Sequence, residues 1–288
     1  MKKHDELLKS FYDVFAFPDD PRSEAGLKRY EKAVRRFQVL VEHEWFKALI
    51  QNKSQINILE ICSGMGIGGV ALAKVLSKKN IDINLTLTDL RENALKIAKE
   101  WGYKELKKDI RVIKVDAREM YILEMKVDII LMYGLSAPHF NPWDMVRLLA
   151  SASETLLNDG LMTMEESDRI YRIFYQRGYK EVLIERVNEE RMVISTHAGY
   201  DMLKGTFNRA VIDLVRKSKP VILETYYWGL AELMALTWIF FKDIDFVNVP
   251  EGNIAQGFIM ARKPRRKILP DILSKAPKIL GDIAEKEQ

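Results

Sequence analysis

Residues 57–70 read NILEICSGMGIGGV, an apolar run with an acid near its end that leads into a loop with four glycines in six positions. Such a run is typical of a buried strand that turns tightly into a helix. Glycine tolerates positive φ angles and has no Cβ, so a ligand can approach its main chain closely. The stretch therefore predicts a strand, a loop and a helix that together bind a cofactor.

Apolar runs and amphipathic stretches alternate from residue 56 to residue 165. This alternation predicts βα units and a mainly parallel sheet. In residues 243–263, two apolar runs flank a Pro-Glu-Gly-Asn turn, which predicts a closing antiparallel hairpin. We expect an α/β, Rossmann-like fold with a seven-stranded, mainly parallel sheet and helices on both faces. The first five strands are predicted at residues 56–62, 83–89, 110–115, 127–133 and 161–165.

The segments outside this alternation have other patterns. Residues 17–23, FPDDPRS, break a helical N-terminus because prolines and aspartates prevent a helix from continuing. Residues 179–200 predict two strands joined around residues 188–190, followed by a helix from about residue 201 to residue 217. The predicted organisation is an N-terminal helical cap (1–50), a Rossmann-like core (51–166, completed by 226–264), an α+β insertion after the fifth strand (167–225) and a C-terminal tail (265–288).

The composition narrows the class of protein. The 288 residues are 48% apolar, enough for a substantial core, and one cysteine excludes an intramolecular disulfide. The most apolar window, residues 226–241, contains Glu232 and is shorter than the roughly 20 residues that span a bilayer. The start of the chain has no clean signal-peptide core, so we expect a cytoplasmic protein without a membrane partner.

The charge pattern and the lack of metal-binding motifs narrow the class of protein further. A net charge of +4 comes from 45 basic and 41 acidic residues that are mostly interleaved, which disfavours a dedicated nucleic-acid binder. A charged fraction of 30% with few glutamines is typical of heat-adapted proteins. No Cys-x-x-Cys or His-x-x-x-His spacing indicates a metal site.

The glycine loop fits two cofactors. Gly64, Gly66 and Gly69 match the dinucleotide fingerprint G-x-G-x-x-G, and Asp89 ends the second strand where a ribose-binding acid belongs. The longer stretch LEICSGMGIG also resembles motif I of the class I S-adenosylmethionine-dependent methyltransferases, acid-x-Gly-x-Gly-x-Gly. Glu60, Gly64 and Gly66 are in register with that motif, whereas Cys62 stands at its first glycine.

The resemblance continues along the chain at the spacing of the family. LTLTD supplies an acid at the end of the second strand, IKVDA one at the end of the third, VDIILMYG the fourth strand and LLNDGLMTMEE the approach to the fifth. The order of these motifs separates the two cofactors. It implies S-adenosylmethionine as the cofactor and S-adenosylhomocysteine (SAH) as the product.

The resemblance also assigns cofactor contacts. It implies that Glu60 acts on the amino-acid end of the cofactor, with Ser63, Gly64 and Gly66 in the loop around it. Asp89 is expected to accept both ribose hydroxyls, since a carboxylate offers two acceptor oxygens. Asp116 with Ala117 resembles the adenine contact of the family. Apolar walls for the ribose and the adenine are expected from Leu90 and Tyr133.

Each of these residues has an ordinary structural alternative. Glu60 could be a buried acid that caps loop N–H groups, and Asp89 could cap the following helix. Asp116 could belong to a surface turn, and Leu90 and Tyr133 could be core residues.

The segment after the fourth strand, YGLSAPHFNPWD (residues 133–144), should form the nearest wall of the acceptor site. It lacks the Asn/Asp-Pro-Pro-Tyr signature of enzymes that methylate base amino groups, and it looks like the His-Phe end of strand four in small-molecule methyltransferases. His139 is a candidate base or hydrogen-bond partner for the acceptor, or else a loop residue. Trp143 and Tyr200 are candidate pocket residues.

We therefore expect a methyltransferase that acts on a small organic acceptor, enclosed by the N-terminal helices and the insertion. The insertion could instead be a dimerisation element of a homodimer. Alternatives are an RNA methyltransferase that uses the basic run ARKPRRK (residues 261–267), an NAD-dependent oxidoreductase and a noncatalytic binding module.

Overall fold

The protein is described from a computed structural model, which covers residues 2–15, 17–51, 53–249, 256–266, 272 and 277. The chain begins with three helices, α1 (Lys2–Phe15), α2 (Glu24–Leu40) and α3 (Glu44–Ile50). The break predicted at FPDDPRS lies between α1 and α2. Ser23 begins α2, because its hydroxyl accepts the Gly26 N–H at 3.0 Å.

The core follows as alternating strands and helices. A 3₁₀ helix (Ala117–Leu123) precedes the fourth strand and another (Ala137–His139) follows it. The strands lie within a few residues of the predicted positions. In chain order the elements are β1 (Gln55–Ile61), α4 (Ile67–Ser77), β2 (Asp82–Asp89), α5 (Glu92–Leu106), β3 (Arg111–Lys114), β4 (Val127–Met132), α6 (Pro142–Thr155) and β5 (Leu156–Ser167).

The insertion is a four-stranded antiparallel sheet, the insertion sheet, preceded by a short π-helix (Tyr171–Gln176). Its strands are β6 (Val182–Asn188), β7 (Arg191–Asp201), β8 (Thr206–Asp213) and β9 (Val221–Thr225).

The predicted hairpin around residues 188–190 is confirmed, but the helix predicted from about residue 201 to 217 is wrong. Residues 206–213 alternate between the two faces of the sheet, with Arg209 and Val211 buried, and they pair with strands on both sides. The insertion is therefore nearly all β rather than α+β.

The chain then returns to the core through α7 (Leu230–Phe240), β10 (Phe241–Asn248) and β11 (Gln256–Pro264). Strands β10 and β11 form the predicted antiparallel hairpin, although its Pro-Glu-Gly-Asn turn lies outside the described residues. Most of the predicted tail also lies outside them. No helix in the described part of the chain has both the length and the apolar character needed to cross a membrane.

The seven core strands lie in the order β10-β11-β5-β4-β1-β2-β3, with β10 and β11 antiparallel. The predicted Rossmann-like sheet is confirmed. All six residues of β4 are buried, as expected of a central parallel strand covered on both faces. The strand order reverses between β1 and β4, so their carboxyl ends mark the place where such folds bind ligands.

Three apolar clusters hold the layers together. One packs α2 and α4 on one face of the core sheet, and a second packs α6 and α7 on the other. The third joins α1 to the insertion sheet, with Phe11 against Val193 and Val211. Helix α1 thus lies between the insertion sheet and the carboxyl ends of the core strands.

Candidate active site

The turn after β1 is built from alternating residues in the left-handed region. Cys62, Gly64 and Gly66 have φ angles of 54°, 55° and 84°. The Ser63 N–H donates to the Thr88 carbonyl at 2.9 Å, which holds the turn against β2. Cys62 therefore adopts the conformation that favours glycine, and the turn stays tight in spite of the substitution in the motif.

The last two glycines of the loop make room for Glu60. A Cβ on Gly68 would lie 2.3 Å from Glu60 Oε1, and one on Gly69 would lie 2.7 Å from Glu60 Oε2. The Gly69 N–H donates to Glu60 Oε2 at 2.8 Å, so the carboxyl caps the start of α4 as one alternative predicted. These two glycines serve the packing around Glu60.

Two adjoining cavities open at the carboxyl ends of β1, β2 and β4. Cavity A has a volume of about 610 Å³ and cavity B about 390 Å³, each including space open to solvent. Four residues line both, so the two cavities form one cleft: Tyr12, Cys62, Arg91 and Ser136.

The structure brings most of the predicted cofactor residues to this cleft. Cavity A is lined by Asp89, Leu90, Asp116 and Ala117, and cavity B by Glu60, Ser63, Gly64 and Tyr133. Tyr133 thus lies apart from Leu90, with which it was expected to enclose the nucleoside. Gly66 is in neither lining and instead begins α4.

Asp89 is held by groups on both of its oxygens. Oδ2 accepts the Gly64 N–H at 2.7 Å, and Oδ1 accepts the Arg91 N–H at 2.9 Å. The first helical turn of α5 has no side-chain cap, so the structure does not support the N-cap alternative for Asp89. The carboxylate lines cavity A and retains lone pairs for a ligand.

The cleft also contains residues that the sequence did not mark as part of a site. Arg91 donates to Asp19 Oδ2 at 3.1 Å, and its guanidinium lies 3.8 Å from the centre of the Tyr12 ring. Tyr12 and Asp19 belong to the N-terminal helical cap, far from the loop in sequence. Burial raises the pKa of the Tyr12 hydroxyl to about 12, so it stays protonated at neutral pH.

Asp116 is fixed by an arginine. Arg118 Nη2 lies 2.6 Å from Asp116 Oδ2, and Arg118 Nη1 lies 2.6 Å from Asp144 Oδ1. The Asp116 side chain also caps the 3₁₀ helix by accepting the Arg118 N–H. Asp116 therefore serves its local turn and lines cavity A at the same time.

Cavity B combines groups of opposite charge. Arg29 of α2 lies 4.4 Å from the centre of the Phe17 ring and lines the cavity together with Glu60. The Ser63 hydroxyl is buried and has no hydrogen-bond partner among the described residues. A guanidinium, a carboxyl and an unpaired hydroxyl are the groups that bind the two charged ends of an amino acid.

Burial raises the pKa of Glu60 to about 8, although the Gly69 N–H and the charge of Arg29 lower it. The folded protein keeps a proton that the unfolded chain, with a pKa near 4.5, releases, so stability should fall as the pH rises from 4.5 to about 8. The slope from this group approaches ~1.4 kcal/mol per pH unit. Glu60→Gln should flatten this slope, which thermal unfolding of both ligand-free proteins across the range would measure. Parallel curves would contradict the shift.

The segment after β4 is positioned by a buried carboxyl. Glu165 of β5 accepts the Gly134 N–H and a Gln256 side-chain N–H, both at 2.9 Å, and pairs with Arg36 at 3.1 Å. Gly134 has a φ angle of 96° and Leu135 one of 62°, so the chain turns sharply there. This turn brings Ser136 and the following 3₁₀ helix to the cleft.

His139 connects cavity A to a third cavity. Its Nε2 lies 3.3 Å from the Tyr12 hydroxyl. Cavity C, about 1010 Å³ including space open to solvent, shares His139, Leu8 and Arg118 with cavity A and is also lined by Trp143. Tyr200 lies outside all three cavities; it is 52% exposed and packs on Phe207.

The family of this cleft follows from comparison with known proteins. A family model described as a methyltransferase domain matches residues 58–160, which include the glycine loop, Asp89, Asp116 and the segment after β4. Residues 58–160 form a methyltransferase domain. The cofactor of the methyltransferase domain is S-adenosylmethionine. No curated protein matches the chain significantly.

Solved structures of methyltransferases share the fold of this chain. An S-adenosylmethionine-dependent methyltransferase from Clostridium acetobutylicum is 16% identical, with a TM-score of 0.61, over 88% of this chain and 99% of that one. The methyltransferase CcbJ from Streptomyces caelestis is 13% identical, with a TM-score of 0.58, over 80% of this chain and 89% of that one. DhpI in complex with SAH is 10% identical, with a TM-score of 0.53, over 91% of this chain and 99% of that one.

The geometry of the loop agrees with this cofactor and disfavours a dinucleotide. Dinucleotide phosphates bind the free N–H groups at a helix N-terminus, but the Gly69 N–H is occupied by Glu60. A phosphate would lose that donor, whereas the Glu60 carboxyl can accept a hydrogen bond from the ammonium of S-adenosylmethionine. Among the described residues, no group of three or more His, Cys, Asp or Glu side chains is placed to hold a metal ion.

Alkylation of the single cysteine should report whether a ligand occupies the cleft. Cys62 lines both cavities, and burial raises the pKa of its thiol well above the usual value. Alkylation by iodoacetamide should therefore be slow at neutral pH and should accelerate as the pH rises. Saturating SAH should slow it on the order of 10-fold, measured by intact mass. Equal rates with and without SAH, in protein whose unfolded form reacts fully, would place SAH elsewhere.

Proposed function

We propose that the protein transfers a methyl group from S-adenosylmethionine to a small organic acceptor that enters from cavity C. The observation that carries this proposal is the roof over the cleft. Helix α1 lies over cavities A and B through Tyr12, and the insertion sheet holds α1 in place through Phe11. A roof of this kind excludes water and leaves room for a molecule of limited size.

The insertion sheet is fastened to the segment after β4. The Tyr226 N–H donates to the Pro138 carbonyl at 3.0 Å, and the Trp143 indole N–H donates to the Leu203 carbonyl at 3.0 Å. These contacts surround cavity C with protein on several sides. An acceptor inside it would approach the cleft past His139, which lines both cavities.

The charges in cavity C cancel in pairs. Arg118 lies 2.6 Å from Asp144, and Lys204 lies 3.6 Å from Glu224. A cavity whose cations already have carboxylate partners favours an acceptor without net charge. It gives little attraction to a polyanion, whose binding needs cations that can neutralise phosphates.

The cofactor residues keep their predicted roles in this proposal. Asp89 would accept the ribose hydroxyls, and Asp116 with Ala117 would contact the adenine in cavity A. Glu60, Ser63 and Arg29 would hold the amino-acid end in cavity B. S-adenosylmethionine supplies an electrophilic methyl group, so alignment of the acceptor is the main task of the protein.

His139 Nε2 can contact the acceptor only if the Tyr12 hydroxyl moves away from it. Its Nε2 faces the Tyr12 hydroxyl at 3.3 Å, so an acceptor would replace that hydroxyl to reach the imidazole. The imidazole could then accept the proton of a poorly ionised acceptor. Trp143 would contribute an apolar wall to cavity C.

The RNA alternative loses support from its main feature. In the basic run, Arg262 and Lys263 lie 2.9 and 2.8 Å from Asp243, and Arg266 donates to the Leu156 carbonyl at 2.6 Å. These three cations bind within the protein instead of forming a free basic patch.

Transfer of labelled methyl groups tests the function. The protein should move label from S-adenosylmethionine into compounds of a metabolite extract depleted of macromolecules, and not into bulk tRNA or rRNA. The Asp89→Ala variant is the control for label that does not depend on the cleft. Label in RNA would favour the RNA alternative, and SAH binding without transfer to any fraction would favour a binding module.

A further inference from the structure

We propose that two copies of this chain pair through the outer face of the insertion sheet. The outer face is the side that carries Ile184, Ile194 and Ile212, which lie next to one another on β6, β7 and β8. The opposite, inner face packs on α1 through Val193 and Val211. Among the residues that the structure describes, none covers the outer face in this way, and Ile184 is 67% exposed.

Apolar residues occupy most of the outer face, although Asn208 and Glu224 form a polar pair next to Ala210 and Ile222. A second row across the four strands consists of Val182, Thr196, Ala210 and Ile222, in which Val182 is 57% and Ile222 52% exposed. At the far end of β6, Val187 is 62% exposed beside Met192. No charged side chain interrupts these rows. A continuous apolar patch of this kind marks an interaction surface, because isolated proteins seldom leave one in water.

The outer face would supply about half of the area of a dimer contact. Four strands at roughly 4.8 Å spacing and seven residues at roughly 3.4 Å give a footprint of about 19 by 24 Å, or roughly 450 Å². A stable interface buries about 800 Å² on each partner. The charged ends of the sheet would supply the remaining area as a polar rim.

The charged residues at one end of the insertion sheet could pair with the same residues of a second copy. Strand β6 ends and β9 begins at the same end of the sheet, on opposite edges. Exposed Glu189 and Glu190 follow β6, and exposed Lys217 and Lys219 precede β9. The β6 edge of this end therefore carries the exposed acid Glu189, and the β9 edge carries two exposed lysines, while Glu190 lies 3.9 Å from Arg216 of its own subunit.

A two-fold axis parallel to the strands would use this asymmetry. Two sheets stacked about such an axis place β6 over β9 of the partner while the same strand ends stay together. Glu189 and Glu190 would then face Lys217 and Lys219 of the partner subunit, and the contact would occur twice. Since this match requires the same charges on both sides, it selects a second copy over an unrelated protein.

Replacing apolar residues with lysine tests the surface. The wild-type protein should sediment at twice its 33.4 kDa mass at micromolar concentration. Ile184→Lys with Ile212→Lys should raise the dimer dissociation constant by roughly 100-fold or more, because lysines would be buried in an apolar contact. The control is Ile122→Lys, in the 3₁₀ helix before β4, where the side chain is 54% exposed and lies outside the proposed face.

Charge reversal tests the geometry. Glu189→Lys with Glu190→Lys should weaken the homodimer, and so should Lys217→Glu with Lys219→Glu, while an equal mixture of the two proteins should form a heterodimer. Folding of each variant is checked by its unfolding temperature and by SAH binding. A monomeric wild type, a dimer that tolerates both isoleucine changes, or binding of the wild type to lipid vesicles through these isoleucines would overturn the proposal.

Discussion

Arg29→Gln is expected to weaken SAH binding by roughly 10- to 100-fold and to leave the affinity for methylthioadenosine nearly unchanged. Methylthioadenosine has the nucleoside of SAH but lacks its amino-acid carboxylate and ammonium. Arg29 lines cavity B beside Glu60 and Ser63, whose hydroxyl has no hydrogen-bond partner in the described part of the chain. A guanidinium that pairs with the ligand carboxylate should therefore affect only the ligand that carries one. Isothermal titration with both compounds measures the difference.

A matched control lies one residue away on the same helix. Lys28 is 74% exposed and pairs with Glu24 at 2.6 Å, so Lys28→Gln removes a cation from α2 without touching the cleft. It should change neither affinity by more than about twofold. Equal losses for SAH and methylthioadenosine in Arg29→Gln would show that the substitution disturbs the cleft as a whole, and the proposed carboxylate contact would be withdrawn.

Asp89→Ala is expected to weaken SAH and methylthioadenosine alike, each on the order of 10-fold or more. Both compounds carry the ribose hydroxyls that Asp89 is proposed to accept in cavity A. The carboxylate also accepts the Gly64 N–H and lies 3.3 Å from Arg91, so the variant should unfold at a lower temperature as well.

Two substitutions of Asp89 separate its effect on ligand affinity from its effect on the stability of the fold. Asp89→Asn keeps the size of the side chain and an acceptor oxygen, so it should lose less affinity and less stability than Asp89→Ala. Unchanged affinity for methylthioadenosine in a folded Asp89→Ala protein would remove Asp89 from the ribose site. Arg29→Gln thus tests whether the amino-acid end of the ligand binds in cavity B, and Asp89→Ala tests whether its ribose binds in cavity A.

Features that depend on local sequence were predictable. The core strands follow from runs of apolar residues such as VDIILM, whose six residues are all buried in β4. Asp89 and Asp116 were predicted from their positions in the motif order of the family, and both line cavity A. Cys62 takes the place of a glycine with a φ angle of 54°, a conformation that the residue type did not predict.

Features that depend on tertiary packing were not predictable. Tyr12, Asp19 and Arg29 come to the cleft because the N-terminal helices pack over it, and nothing in their local sequence marks a site. The helix expected over residues 201–217 failed for a related reason. Pairing with β7 and β9 on both sides stabilises β8, and that pairing is invisible in the segment alone.

Tyr12 and its neighbour Phe11 connect the cleft to the insertion sheet. Its ring covers Arg91 and its hydroxyl faces His139, while the neighbouring Phe11 is buried against the insertion sheet. A nucleoside bound beneath this ring would be covered by α1, so its release would require α1 to move away from those strands. The packing of Phe11 on the insertion sheet would then influence how fast the product leaves.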